Sequence, residues 1–297
     1  MGTTLMAQAL AQSLKQAMQA DERVIVVGED VARAGGVAQT TAGLAEAFGD
    51  KRVMDLPVAS RSIVGTALGL AMAGKKPVVN LTSTSQLTEV LEPLLEACSS
   101  SSDFPLSMVI RVPFGGQAGR HIDRPLAGAL AGLTDLQVAV CASAQTAGTL
   151  LTQGLASNRP LILLEPRWLY GQATSWDSED ITLGRARLIV PGQHITVAAW
   201  GDGVSTAMQA AQNLLQQGIG AEVIDLVHIA PLDTATLGRS VRKTGRLVVV
   251  APTEFDHVAQ AVQSTVQSAF VHLQSPPTTA AAHVDTVVTA AKQSVFF

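Results

Sequence analysis

The chain has 297 residues, of which 47% are hydrophobic and 15% charged, and its formal net charge is −4. This composition excludes an intrinsically disordered protein, and the lack of a basic run argues against nucleic acid and anionic membranes as partners. No apolar segment reaches the roughly 18 uninterrupted residues that a membrane-spanning helix needs. Because the N-terminus also lacks a signal-like pattern, we expect a cytoplasmic protein of about two domains.

Short apolar runs alternate with helical patterns through the first half of the chain. An amphipathic helix is predicted at residues 4–20, and Gly28 closes the apolar run that follows it at residues 24–27. Further strands are predicted at 77–81, 106–112, 136–140 and 161–165, and further helices at 63–73, 87–98 and 146–156. This alternation predicts an α/β domain, in which helices cover both faces of a parallel sheet.

A polar, turn-rich stretch at residues 168–183 interrupts this rhythm, and a second α/β pattern follows it. Its predicted elements are strands at 195–200, 221–226 and 246–250 and a helix at 204–217. We therefore predict a first α/β domain at residues 1–170, a linker at 171–190 and a second α/β domain at 191–297.

Several short motifs follow one another in the order found in one enzyme family. They include Val27-Gly28-Glu29-Asp30-Val31, Met54-Asp55-Leu56-Pro57, Ile63-Val64-Gly65, Glu222-Val223-Ile224-Asp225-Leu226 and Pro231-Leu232-Asp233. In this order the chain resembles the β subunits of the thiamine-diphosphate-dependent E1 components of 2-oxo acid dehydrogenase complexes (pyruvate dehydrogenase E1β type, transketolase superfamily). The resemblance implies a pyrimidine-binding parallel-sheet domain followed by a transketolase C-terminal-type α/β domain.

The same resemblance implies a partner and a cofactor. The expected assembly is an α2β2 heterotetramer in which thiamine diphosphate is shared with an E1 α-like subunit, and that subunit supplies Mg²⁺ and its ligands. No metal ligand is expected from this chain. An E2 lipoyl or acyl-carrier protein is a further candidate partner.

Four positions match site residues of the family, and two of them carry different side chains here. Glu29 and His121 match a carboxylate and a histidine that the resemblance implies to be catalytic. Ser60 stands where the family has the glutamate that activates the cofactor, and Gln86 stands where it has an aromatic residue against the aminopyrimidine ring. We therefore expect Glu29, Ser60 and Gln86 to face the cofactor.

Two further departures concern charged residues near these positions. Arg61 follows Ser60 and is open to two interpretations, a solvated cation at a helix start or a cation that fills part of the altered site. The family's structural potassium loop maps to residues 154–160, with Ser157 and Arg159 in place of the expected Asp and Asn. Because a guanidinium would repel a bound cation, we do not expect potassium binding.

Two functions remain open from the sequence. The first is a subunit of a thiamine-dependent 2-oxo acid decarboxylase that transfers an acyl or ketol unit and lacks the usual glutamate. The second is a catalytically degenerate β-like chain that serves as a structural partner of an α subunit. The changes at Ser60 and Gln86 favour the second function, whereas the retained Glu29 and His121 favour the first.

Overall fold

The computed structural model describes residues 5–100, 105–115, 130, 136–173, 181–250, 256–267 and 269–297. The chain divides into two compact units, residues 1–124 with 133–177 and residues 125–132 with 178–297. Across the described ranges, no helix combines the length and the apolar character needed to cross a membrane.

The first unit is built on a parallel sheet, as the alternating pattern predicts. Its strands are β1 (Val24–Gly28), β2 (Val53–Asp55), β3 (Lys76–Asn80), β4 (Val109–Phe114), β5 (Gln137–Val140) and β6 (Leu161–Pro166). In space these strands run in the order β5-β6-β4-β3-β1-β2, and neighbours in this order are parallel. Every residue of β1, β4 and β6 is buried, which is typical of strands covered on both faces.

Five helices accompany these strands in the described part of the first unit. They are α1 (Met6–Ala20), α2 (Leu44–Phe48), α3 (Ser60–Met72), α4 (Thr84–Ser100) and α5 (Ala144–Ala156). Helix α1 buries one side chain in every fourth position, namely Met6, Leu10, Leu14 and Met18. It packs against α5, where a Cβ added to Gly148 would lie 2.5 Å from Ser13 Oγ. A glycine at this position therefore allows the two helices to approach closely.

The second unit has its own sheet. The strands are β7 (Arg187–Val190), β8 (Ile195–Ala199), β9 (Ala221–Asp225), β10 (His228–Ala230), β11 (Leu247–Val250) and β12 (Thr278–Ala280). The described helices of this unit are α6 (Gly203–Leu215), α7 (Thr234–Thr244), α8 (Asp256–Gln267) and α9 (Val284–Val295). Five of the strands run in the order β12-β11-β8-β9-β7, and only the β7–β9 pairing among them is antiparallel.

The predicted helix boundaries differ from the structure mainly at helix starts. The helix predicted at 63–73 begins at Ser60, and the helix predicted at 87–98 begins at Thr84. Both first turns consist largely of serine, threonine and other polar residues. Such residues favour helix starts but carry no hydrophobic periodicity, so the apolar pattern detects each helix only after its first turn.

Helix α7 was not predicted, although its end signals are present in the sequence. Asp233 precedes it and accepts a hydrogen bond from the Thr236 N–H at 3.0 Å. Gly245 ends it in the left-handed conformation, with φ of 70°. A capping aspartate and a terminal glycine therefore mark a helix whose largely polar sequence gave no apolar pattern.

A buried ion pair joins the edge strand β7 to β9 in the second unit. Arg187 Nη2 lies 3.0 Å from Asp225 Oδ2, and both side chains are almost fully buried. Asp225 Oδ1 also accepts the N–H of Val227, a β-branched residue with φ of 55°. Burial raises the pKa of Asp225, while Arg187 opposes that rise. The pair therefore fixes both an edge strand and a strained turn.

His228 in β10 is buried as a neutral side chain. Its Nε2 accepts the Gly184 N–H at 3.1 Å, and no described residue pairs with its Nδ1. Burial lowers the pKa of His228 from 6.5 to about 4, with a smaller opposing effect from Asp233. The folded state therefore disfavours the protonated imidazole.

This lowered pKa predicts a specific loss of stability in acid. Between pH 6.5 and 4 the unfolded chain binds a proton at His228 that the folded chain does not, so stability is present above this window and falls as the pH falls through it. We expect His228 to account for a loss of about 2 kcal/mol in the free energy of unfolding between about pH 7.5 and pH 5. Denaturant unfolding of wild type and His228→Gln, which keeps an acceptor for Gly184, measures this difference.

The exposed His272 provides the control for this experiment. The His272→Gln variant should follow the wild-type pH dependence, whereas His228→Gln should show a flatter one. Parallel pH curves for wild type and His228→Gln would contradict the assignment of this acid sensitivity to His228.

Candidate functional site at the carboxyl edge of the first sheet

Three of the four sequence-predicted site residues follow neighbouring strands of the first sheet. Strands β2, β1 and β3 are adjacent, and their last residues are paired in register. Glu29 directly follows β1, Ser60 begins the helix after β2, and Gln86 lies in the helix after β3. All three therefore lie at the carboxyl edge of one sheet, where open α/β sheets bind ligands. His121 lies outside the described residues.

The turn that carries Glu29 is held in a defined conformation. A Cβ added to Gly28 would lie 2.6 Å from the Asn80 carbonyl oxygen, so only glycine allows this approach of β1 to β3. Asp55, at the end of β2, accepts the N–H of Ala32 at 2.6 Å and the N–H of Arg33 at 3.2 Å. These contacts fix the backbone on both sides of Glu29.

Gln86 hydrogen-bonds Glu29 directly. Its Nε2 donates to Glu29 Oε1 at 2.6 Å, and its Oε1 accepts the Thr82 N–H at 2.7 Å and the Thr82 hydroxyl at 3.1 Å. The side chain is 9% exposed. Gln86 lies in the first turn of α4, one residue before the start of the predicted helix, and β3 already ends at Asn80.

Ser60 is the first residue of α3 and is 5% exposed. No described residue hydrogen-bonds its hydroxyl group, and the first turn of α3 contains no acidic residue. The preceding residue, Ala59, offers no side-chain cap. The start of α3 thus presents a hydroxyl group at the position that the sequence resemblance assigns to a carboxylate.

The surroundings of Arg61 argue against its filling part of the altered site. Its side chain is exposed, and its Nε donates to the Glu89 carbonyl oxygen of α4 at 3.3 Å. Of the two interpretations that the sequence left open, this geometry favours a solvated cation at a helix start.

A buried polar network beside these residues joins the end of β3, the middle of β4 and the end of β6. Arg111 donates through Nε and Nη2 to the two oxygens of Glu165, at 2.7 and 2.9 Å, and through Nη1 to Asn80 Oδ1 at 3.4 Å. The Tyr170 hydroxyl donates to Glu165 Oε2 at 2.5 Å. Sequence reasoning missed this network, although an arginine and a glutamate within apolar strands were a visible signal.

The charges in this network stabilise each other. Burial and the neighbouring Glu165 charge raise the pKa of Tyr170 well above its usual value, so this hydroxyl stays protonated and donates. Burial alone would lower the pKa of Arg111, but Glu165 outweighs it and the pKa is raised. Arg111 therefore stays charged, as a bidentate partner of a carboxylate requires.

Arg167 links this region to the segment before α4. Its Nη2 donates to the Thr82 carbonyl oxygen at 2.7 Å and to that of Pro113 at 3.4 Å. Thr82 is thus held by Arg167 through its carbonyl group and by Gln86 through its N–H and hydroxyl groups. The backbone that orients Gln86 is therefore itself fixed.

Hydrogen bonds between protein groups hold together the loop at residues 154–160, which the sequence resemblance assigns to a potassium site. The Ser157 hydroxyl donates to Gln137 Oε1 at 2.8 Å and accepts the Arg159 N–H at 3.1 Å. The Asn158 carbonyl oxygen accepts the Leu106 N–H at 3.0 Å. In the described part of the chain, no cluster of three or more His, Cys, Asp and Glu side chains is arranged to hold a metal ion.

The buried ion pair leads to a stability prediction. Glu165→Gln removes the charge that compensates Arg111, and a buried guanidinium without its carboxylate is strongly disfavoured. We expect a loss of about 3–5 kcal/mol in the free energy of unfolding, measured by denaturant titration. Arg33→Met, which removes an arginine that is 91% exposed from an ion pair with Asp55, should cause little loss. Equal losses in the two variants would contradict the central role of Glu165.

The closed loop at residues 154–160 predicts a stability that is insensitive to potassium. Exchange of NaCl for KCl at constant ionic strength should leave the thermal unfolding midpoint unchanged, because Ser157, Gln137 and the backbone already bond one another. A selective rise of the midpoint in KCl would show that the loop binds the ion after all.

Comparison with known proteins identifies both units. Residues 3–172 match the family model "Transketolase, pyrimidine binding domain", and residues 184–296 match "Transketolase, C-terminal domain". Among solved structures, a split-gene transketolase described as an inactive β4 tetramer superimposes with a TM-score of 0.79 at 19% identity, covering 99% of both chains. This similarity supports the fold.

Curated relatives narrow the family. The pyruvate dehydrogenase E1 component subunit beta of Acholeplasma laidlawii is 32% identical over 282 residues, which cover 91% of this chain and 86% of the relative. The corresponding subunits of Leifsonia xyli subsp. xyli and Staphylococcus epidermidis are each 35% identical, covering 91% and 93% of this chain and 84% and 89% of the relatives. The chain therefore belongs to the E1 β-subunit family of the thiamine-diphosphate-dependent 2-oxo acid dehydrogenases, within the transketolase superfamily.

Proposed function

We propose that this chain is the β subunit of a heteromeric E1-like enzyme that uses thiamine diphosphate to decarboxylate a 2-oxo acid and to transfer the resulting acyl or ketol unit. The observation that carries this proposal is the Glu29 carboxylate. It is retained at the carboxyl edge of the first sheet, and a 2.6 Å hydrogen bond from Gln86 fixes it there. A chain that had lost all cofactor chemistry would have no need of a fixed carboxylate in this place.

The donors and acceptors at this edge suit an aminopyrimidine ring. Such a ring carries nitrogen acceptors and an amino group that donates. The Ser60 hydroxyl makes no bond to a described residue and can donate to a ring nitrogen, while Glu29 can accept from the amino group. Gln86 offers no aromatic face to the ring, so part of the family's apolar contact is missing.

In the proposed mechanism the chain's own residues bind and orient the cofactor rather than form covalent bonds. When bound, thiamine diphosphate would supply a nucleophilic carbon and an electron sink for decarboxylation. The Glu29 carboxylate would accept a hydrogen bond from the ring, and the Ser60 hydroxyl would donate one. The serine hydroxyl cannot release a proton at neutral pH. We therefore propose an enzyme that tautomerises the ring more slowly than relatives with a glutamate at this position.

The proposed partners follow from membership of the E1 β-subunit family. In the proposed assembly an α subunit supplies Mg²⁺ and the diphosphate site in an α2β2 heterotetramer, and an E2 lipoyl or acyl-carrier protein receives the product. Residues 1–170 form the proposed pyrimidine-binding domain, 171–190 the linker and 191–297 the C-terminal domain, and His121 keeps its proposed catalytic role. The inactive β4 tetramer of the split-gene transketolase supports the expectation that this chain alone is inactive.

The second candidate is a structural β-like partner without catalysis. The exchange at Ser60 favours it, because the carboxyl group that takes part in ring tautomerisation is absent. The amide at Gln86 favours it as well, because it bonds Glu29 in place of the aromatic contact. Both candidates predict binding to an α subunit, so cofactor binding and turnover distinguish them.

Titration of thiamine diphosphate with Mg²⁺ into the co-purified αβ complex tests the proposal. We expect calorimetric binding to the complex and none to the isolated chain. Ser60→Glu should raise turnover of the complex by about 10²–10⁴, because it restores a proton-transfer group at the ring. Ser60→Ala provides the matched control and should lower affinity, since it removes the remaining hydrogen bond.

Two results would separate the candidates. Failure of the wild-type αβ complex to bind the cofactor would exclude the enzyme and support the structural partner. Binding without turnover by either wild type or Ser60→Glu would exclude the proposed chemistry while leaving the cofactor site in place.

A further inference from the structure

We propose that Gln86 is a positioning residue that sets the orientation of the Glu29 carboxylate, and through it the affinity for the aminopyrimidine group, without touching that group itself. This role rests on the proposed function. It differs from the direct cofactor contact that the position of Gln86 in the sequence implies.

The orientation of the Gln86 amide is decided by its neighbours. The Thr82 N–H can only donate, so the amide oxygen must face it, and the 2.7 Å contact is with Oε1. The Thr82 hydroxyl donates to the same oxygen at 3.1 Å. The amide nitrogen must then point to Glu29, where it lies 2.6 Å from Oε1. Arg167 donates a hydrogen bond to the Thr82 carbonyl group, so the residue that orients the Gln86 amide is itself held in place.

The contact leaves one oxygen of Glu29 available. Gln86 occupies Oε1, and no described residue hydrogen-bonds Oε2. A hydrogen bond to a carboxylate is short and strong, so it restricts the side-chain rotamers of Glu29 before a ligand arrives. A carboxylate that is ordered in advance binds its ligand more tightly, because less conformational entropy is lost on binding.

Helix capping does not explain the contact with Glu29. The spacing Ser83-x-x-Gln86 is that of a capping box, in which the last side chain accepts a backbone N–H near the helix start. Gln86 Oε1 instead accepts the N–H and hydroxyl groups of Thr82, the residue before Ser83, and a glutamate at position 86 would make these bonds equally well. Only an amide also donates to Glu29, so the donor half of the side chain has a separate role.

The variant Gln86→Glu separates these two roles. It keeps an acceptor for Thr82 but places a second carboxylate against Glu29, so the co-purified αβ complex should bind thiamine diphosphate about tenfold or more weakly at about pH 8. Calorimetric titration of the cofactor into the wild-type and variant complexes measures this difference.

A double-mutant cycle provides a second readout. Gln86→Met should lower the affinity for thiamine diphosphate about tenfold when Glu29 is present and have little further effect in the Glu29→Gln background. The same pair should also be coupled in denaturant unfolding of the complex without the cofactor. Gln137→Met is the matched control, because Gln137 makes one comparable bond to Ser157 at the opposite edge of the sheet. It should lower stability and leave the affinity unchanged.

The outcomes distinguish this role from the proposed function. Additive effects of Glu29→Gln and Gln86→Met on affinity, or an unchanged affinity of the Gln86→Glu complex at about pH 8, would overturn the positioning role while the enzyme assignment stands. Absence of binding by the wild-type complex would overturn the proposed function and the positioning role together.

Discussion

The bidentate ion pair between Arg111 and Glu165 is the interaction on which the carboxyl edge of the first sheet depends. It joins Arg111 within β4 to Glu165 near the end of the adjacent strand β6, and both side chains are almost fully buried. Two buried charges are tolerated only when each is paired and hydrogen-bonded, and Tyr170 and Asn80 supply the remaining bonds. The pair therefore commits this region to one arrangement, because any displacement would leave a charge without a partner in a nonpolar environment.

A series of hydrogen bonds and close contacts connects this pair to the carboxylate of Glu29. Asn80 bonds Arg111 through its side chain, and its carbonyl oxygen lies so close to Gly28 that no Cβ would fit there. Glu29 is the next residue after Gly28, and Gln86 donates a hydrogen bond to its carboxylate. A rigid surrounding structure orders the Glu29 carboxylate in advance, so its position does not depend on the ligand.

The sequence predicted the elements whose residues are buried and apolar, and it missed those defined by polar or local signals. Strand β1 and helix α1 have clear periodicity and were found nearly to the residue. Strand β7 and helix α7 were missed, because β7 is held partly by the Arg187–Asp225 pair and α7 has a largely polar sequence. At the site, the sequence identified Glu29, Ser60 and Gln86 as candidates through family order. It could not identify the bond between Glu29 and Gln86, since they are 57 residues apart and only the folded sheet brings them together.

The two departures at Ser60 and Gln86 are better understood together than separately. An aromatic residue at position 86 could not donate a hydrogen bond to Glu29 in the way that the amide does. A carboxylate at position 60 would add a further negative charge at the edge that already carries Asp55 and Glu29, whereas the serine hydroxyl is neutral. The present pair of side chains adds no charge there and leaves one hydroxyl group without a bond to any described residue. In the proposed site, Ser60 and Gln86 together thus replace proton transfer at position 60 with orientation of the Glu29 carboxylate.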